Sequence, residues 1–124
     1  MKNVLPKPTD AELTILQVLW RLGPATVREV QEALGKGTGY TTALKFLQIM
    51  TEKGLVRRNE SQRAHVYEAA ASEDETQQQL VKGLLKKAFG GSSSKLVMQA
   101  LASKKASPGE LAEIRRLIEQ LSKD

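Results

Sequence analysis

Tyr40-Thr41-Thr42-Ala43-Leu44-Lys45 opens a helix just beyond the Gly37-Thr38 pair, and Lys53-Gly54 closes it. Over about residues 39–53, Ala43, Leu44, Leu47 and Met50 share one side at helical spacing, which leaves Thr41, Thr42, Lys45 and Gln48 on the outer side. Gly54 suits the left-handed position after a helix. Leu55-Val56-Arg57-Arg58 and Arg63-Ala64-His65-Val66-Tyr67-Glu68 then read as two strands around the polar turn Asn59-Glu60-Ser61-Gln62. A helix with short polar residues at its exposed start, followed at once by a basic hairpin, is the form in which a winged helix-turn-helix meets duplex DNA.

Two helices precede this unit. Thr9-Asp10-Ala11-Glu12 is a capping box, and Leu13, Leu16, Val18, Leu19, Trp20 and Leu22 supply an apolar stripe up to Gly23-Pro24. Thr26-Val27-Arg28-Glu29 repeats the box, with Val27, Val30, Ala33 and Leu34 behind it and Gly35 at the end. The order helix, helix, helix, hairpin defines a winged-helix domain over residues 1–71.

The remainder, 72–124, reads as a three-helix tail. Ser72-Glu73-Asp74-Glu75 caps a long helix that is polar through Thr76-Gln77-Gln78-Gln79 and apolar only later, at Leu80, Val81, Leu84, Leu85, Ala88 and Phe89. This suits a strut between two bodies, and Gly83 in its middle marks a place for close helix approach. After Gly90-Gly91, Leu96, Val97, Met98 and Leu101 lie on a short apolar helix. Ser107-Pro108-Gly109-Glu110 starts a last one with Leu111, Ile114, Leu117, Ile118 and Leu121 spaced by threes and fours. Three such helices carry more apolar surface than they bury among themselves, and a second copy of the chain is the natural cover. The expected dimer contacts are Leu84, Leu85, Phe89, Leu96, Val97, Leu101, Leu111, Ile114, Leu117, Ile118 and Leu121.

Bulk properties fit. The chain has 124 residues, 40% apolar, enough for one modest core and an extension. Its charge of +5 favours a polyanionic partner, and both halves share it: residues 1–70 hold ten basic and seven acidic side chains, residues 71–124 nine and seven. Lys45, Lys53, Arg57, Arg58 and Arg63 are opposed locally only by Glu52 and Glu60. The absence of cysteine and the single histidine exclude disulfides, thiol nucleophiles and Cys- or His-rich metal sites, so no cofactor or metal is expected. No run approaches the roughly 18 apolar residues of a membrane span. The start, Met1-Lys2-Asn3-Val4-Leu5-Pro6, lacks an apolar signal core, which points to a soluble cytoplasmic protein. Neighbouring carboxylates such as Glu73, Asp74 and Glu75 are accounted for by a helix start, and Ser92-Ser93-Ser94 has no histidine nearby, so catalysis finds no footing.

The DNA-binding set is therefore Tyr40, Thr41, Thr42, Lys45, Gln48, Arg57, Arg58 and Arg63. Threonines can bond base edges or meet a thymine methyl, Lys45 can reach guanine or phosphate, and the arginines sit where a wing meets the backbone. Plainer roles stand beside these. Tyr40 can pack, the threonines can cap, and Arg57 and Arg58, adjacent on a strand, cannot share a face. Arg28, on the second helix, could touch phosphate but reads more readily as a solvated surface residue, Trp20 reads as core and His65 as an exposed strand residue. The competing function is a winged helix used as a protein-interaction module without sequence-specific DNA binding.

Thr9-Asp10-Ala11-Glu12, Leu19-Trp20, Gly23-Pro24 with Thr26-Val27-Arg28-Glu29, Tyr40-Thr41-Thr42, Lys53-Gly54-Leu55, the Arg63 to Tyr67 spacing and Phe89-Gly90-Gly91-Ser92 together resemble the BlaI/MecI/CopY family of penicillinase-type repressors. The likeness spans nearly the whole chain. It implies a homodimeric repressor whose winged helices bind an inverted repeat of the TACA/TGTA type while the tail dimerises. Tyr40, Thr41, Thr42 and Lys45 match the start of the family's recognition helix, and Arg63 matches its wing. Ile49 departs from the pattern, because that position is often basic. Gln99-Ala100 stands where the beta-lactam-responsive branch has its cleaved Asn-Phe bond, and the paired cysteines of the copper-responsive branch are absent, so the resemblance leaves the release mechanism open.

Overall fold

The computed structural model describes residues 5–61 and 63–123, so Met1–Val4, and Gln62 of the expected turn, lie outside the described residues. Two compact units divide the chain, one ending at Val81 and the other beginning at Lys82.

The first unit holds α1 (Asp10–Leu22), β1 (Ala25–Thr26), α2 (Val27–Leu34), α3 (Tyr40–Lys53), β2 (Val56–Asn59) and β3 (Val66–Ala69). Both expected capping boxes form. Thr9 accepts from the Glu12 amide and Thr26 from the Glu29 amide, each at 3.2 Å, and each glutamate takes the cap's own N–H at 2.9 Å. At the far end of α3, Gly54 adopts φ 82°, a left-handed turn that releases the chain directly into β2.

The hairpin is part of a three-stranded antiparallel sheet in the order β1-β3-β2. The third strand escapes sequence reading because two residues carry no periodicity, and Thr26 serves at once as ladder residue and helix cap. The ladder of β2 and β3 ends at Asn59 opposite Val66, which shifts both strands toward the carboxyl side of their expected spans. Arg63 to His65 are thereby left in the connecting loop, where the Asn59 side chain accepts from the Ser61 amide at 2.9 Å and turns the chain.

Ile15, Leu16, Leu19, Val30, Leu47, Met50, Val56 and Tyr67 are among the buried residues that join three helices to the sheet. Ile15 belongs to this core although the expected stripe passed it over, while Leu22 is exposed. Trp20 packs against the rim and donates its indole N–H to the Ala71 carbonyl at 3.0 Å, tying α1 to the segment leaving β3.

Helix α4 (Glu73–Ala88) begins at the Ser72 box, where the expected domain boundary of 71/72 falls. The packing divide lies further on, inside α4, because its first turns are not solvated all round. Thr76 is buried, and Gln79 donates to the Leu5 carbonyl at 2.7 Å.

In the second unit, Gly90 and Gly91 take positive φ after α4, Ser92 caps α5 (Ser93–Ser103), and a full capping box at Ser107 starts α6 (Pro108–Ser122). Here α5 and α6 contain no buried residue. Leu85, Phe89, Leu96, Leu101 and Ile114 are half-buried, and Leu84, Val97, Leu111, Leu117, Ile118 and Leu121 are exposed, Leu121 to 66%. A Cβ on Gly83 would meet open space, so the close approach suggested by that glycine is not made among the described residues.

Candidate nucleic-acid interface

Helix α3 turns Ala43, Leu47 and Met50 fully into the core, and this fixes what the opposite side presents. Thr41, Thr42, Lys45 and Gln48 are all exposed there, joined by Ile49 at 40%. The residue ahead of the helix is Gly39, and no side chain caps the α3 amino end, so neither threonine is occupied as a cap. Tyr40 is 47% exposed rather than packed away. The outer face thus combines short hydroxyls, one amide, one cation and an uncapped helix amino terminus, groups that pair with base edges and phosphate oxygens.

The other end of α3 is anchored by an ion pair invisible in the sequence. Lys53 donates from Nζ to both oxygens of Glu12, at 2.8 and 2.9 Å. Burial pushes the Glu12 carboxyl up, but the Lys53 ammonium, the Thr9 amide and the Thr9 hydroxyl outweigh it and hold the group below the ordinary glutamate range. A single carboxylate therefore caps α1 and ties α3 to it.

The sheet register separates the three wing arginines. Arg58 lies opposite Tyr67 and Arg57 opposite Glu68, so the two point to opposite faces. Arg58 shares the face of buried Val56 and Tyr67. The Tyr67 hydroxyl and the Glu60 carboxylate, at 2.8 Å, hold its guanidinium charged, above the ordinary arginine value. Arg57 lies on the back of the sheet, 3.4 Å from Glu68 and also 3.4 Å from the Ala70 carbonyl, in a shallow recess with Trp20, Gly23 and Pro24. Arg63 belongs to the loop beside α3.

An open cleft of about 470 Å³ runs between the first turn of α2, the start of α3 and that loop. Tyr40 and Arg63 line it, joined by two residues that sequence reading set aside, Arg28 and His65. The sequence offers Arg28 either to phosphate or to solvent, and its place in the cleft follows only once α2 is docked across from the wing. Among the described residues no group of acidic and histidine side chains is arranged to hold a metal ion, and no helix is long and apolar enough to cross a membrane.

The Penicillinase repressor family model matches residues 8–120, which spans both units. The chain belongs to the penicillinase repressor family. Among similar members, the penicillinase repressors of Bacillus licheniformis and Staphylococcus aureus are 24% identical over 122 residues and 21% over 125, covering 97% and 99% of this chain and 94% and 99% of theirs. The transcriptional regulator BlaI of Mycobacterium tuberculosis is 39% identical over 79 residues, 61% of this chain, and that match spans about half of its length, 54%. The fold agrees with the solution structure of monomeric B. licheniformis BlaI in complex with the blaP half-operator, at a TM-score of 0.51 and 24% identity, covering 58% of this chain and 90% of that one. A MarR family protein from Bacillus stearothermophilus shares the fold at the same TM-score and 17% identity, over 94% of this chain. Penicillinase repressors are regulators of transcription, not enzymes.

Proposed function

We propose that this penicillinase repressor family member is a DNA-binding transcriptional repressor that acts in the cytoplasm as a homodimer on an inverted-repeat operator. The observation that carries the reading is the outer face of α3, where Thr41, Thr42, Lys45 and Gln48 stand exposed beside an uncapped helix start and a basic wing. In this reading α3 enters the major groove, and Tyr40, Arg58 and Arg63 hold the backbone. Arg57 falls outside the contact set, because it braces the rear of the sheet. The exposed apolar residues of α4 to α6, from Leu84 to Leu121, support a second copy as the cover of the tail, which would place two reading helices on two half-sites.

Selection of bound sites from a random duplex pool tests this. An enriched palindrome whose half-sites are spaced by about one helical turn, or a multiple of it, is the expected result. A winged helix that serves only as a protein-interaction module would enrich nothing. On the selected duplex, Arg63→Ala should weaken every sequence alike, by roughly tenfold, and flatten the salt dependence by about one unit per half-site. Thr42→Ala should instead change which sequence is preferred. Ile49 offers a gain: Ile49→Arg adds a cation to an exposed outer position, and should tighten binding severalfold in dilute buffer while steepening the slope by about one unit per half-site.

A further inference from the structure

The cleft beside α3 has a one-sided chemistry. Val27, Leu44 and the Tyr67 ring make it partly apolar, while Arg28 comes from α2, and Arg63 and His65 come from the loop. None of its lining side chains is acidic. The carboxylates nearby are committed elsewhere: Glu29 closes the Thr26 capping box, and Glu60 is held by Arg58 at 2.8 Å, with its other oxygen 3.9 Å from the His65 imidazole. A recess that gathers two guanidinium groups, an imidazole and the Tyr40 phenol from three separate elements is a seat for an anion.

We propose that this cleft seats a phosphodiester of the DNA backbone between α2 and the wing, with Arg28 and His65 as two further contacts to the duplex. The inference rests on the DNA-binding reading above and adds a strand path to it. An α3 lying in the major groove brings the flanking backbone past its amino end, where Tyr40 stands, and the cleft opens there. Arg28 acts as a permanent cation. His65 brings an imidazole N–H to the same recess from the loop side, a further hydrogen-bond donor for a phosphate oxygen.

The test uses the full chain, the duplex recovered by selection, and the variants Arg28→Gln, Arg28→Lys, His65→Gln and Arg21→Gln, the last an exposed cation on α1 outside the cleft. Between 50 and 200 mM salt, Arg28→Gln should flatten the log-log slope by about one unit per half-site, Arg28→Lys should keep it, and Arg21→Gln should leave it unchanged. His65→Gln, which trades the ring for an amide of different reach, should weaken binding by roughly threefold on every sequence alike. An Arg28→Gln slope equal to that of Arg21→Gln, or a His65→Gln protein that binds as tightly as its parent, overturns the proposal while leaving the repressor reading intact. A parent that binds no duplex overturns both. Inorganic phosphate separates the two sources of such an anion. Saturation of the Arg28 and His65 resonances below about 1 mM phosphate, with duplex affinity indifferent to Arg28→Gln, would assign the cleft to a free anion and overturn the backbone path.

Discussion

A chain carrying Leu117→Asp and Ile118→Asp should sediment as a monomer and should need at least about a hundredfold more protein to occupy its operator. Both side chains lie on α6 and are 55% exposed, within a unit whose α5 and α6 bury nothing. Covering one such side chain is worth about 1.5–3 kcal/mol, whereas an unpaired carboxylate in the same place costs several. The first unit keeps its own core, so far-ultraviolet dichroism should change little and half-site binding should persist in dilute buffer. The large loss is that of the link between two half-sites, because each winged helix then binds alone. A doubly substituted chain that stays dimeric and binds as tightly as its parent would show that this face is not where the copies meet.

The second large effect concerns Lys53. Lys53→Met should cost about 2–3 kcal/mol at pH 7 in urea unfolding, short of the cost of breaking a fully buried pair because Lys53 is 38% exposed. Glu12→Gln should cost less, since the released ammonium reaches water while the amide still accepts from Thr9. The pH dependence gives a sharper signature. In the parent, the Glu12 carboxyl is held below its unfolded value, so the folded state binds fewer protons. Its stabilising contribution is complete above the ordinary glutamate value, about 4.3, and is lost as pH falls through the depressed folded value. With Lys53 gone, the strongest of the lowering influences is lost and the depression of the carboxyl shrinks, so the variant gains less stability from ionising this group. The gap between parent and variant should therefore be fully open near neutrality and should narrow as pH falls below about 4. A gap independent of pH would mean that Lys53 contributes packing and not charge.

What the sequence made legible follows from the range of the forces involved. Capping boxes are local, and those at Thr9, Thr26, Ser72 and Ser107 form as written. The inner and outer sides of α3 were legible because three apolar residues at helical spacing leave only one orientation. Long-range pairing was not. The Glu12–Lys53 pair joins residues far apart in the chain and hides inside a box that already explains the glutamate. The split of Arg57 from Arg58 was foreseen as a strand alternation, but which of them faces the helices depends on the register Arg58 opposite Tyr67. Arg28 and His65 looked ordinary because the cleft that unites them exists only after α2, α3 and the loop have docked.

The point at which the β-ladder stops has a consequence for how this scaffold diversifies. Pairing ends at Asn59 and Val66, while Tyr67, one step inside, is already sealed in the interior. The described residues between those rungs, Glu60, Ser61 and Arg63 to His65, are all exposed and none belongs to the core. Insertions, deletions or charge swaps there can retune the grip on a duplex at little thermodynamic expense, whereas a comparable edit one rung inward would open the protein's centre. Lineages that acquire new binding sites should accordingly differ most in the length and charge of that tip and least in the rungs that bound it.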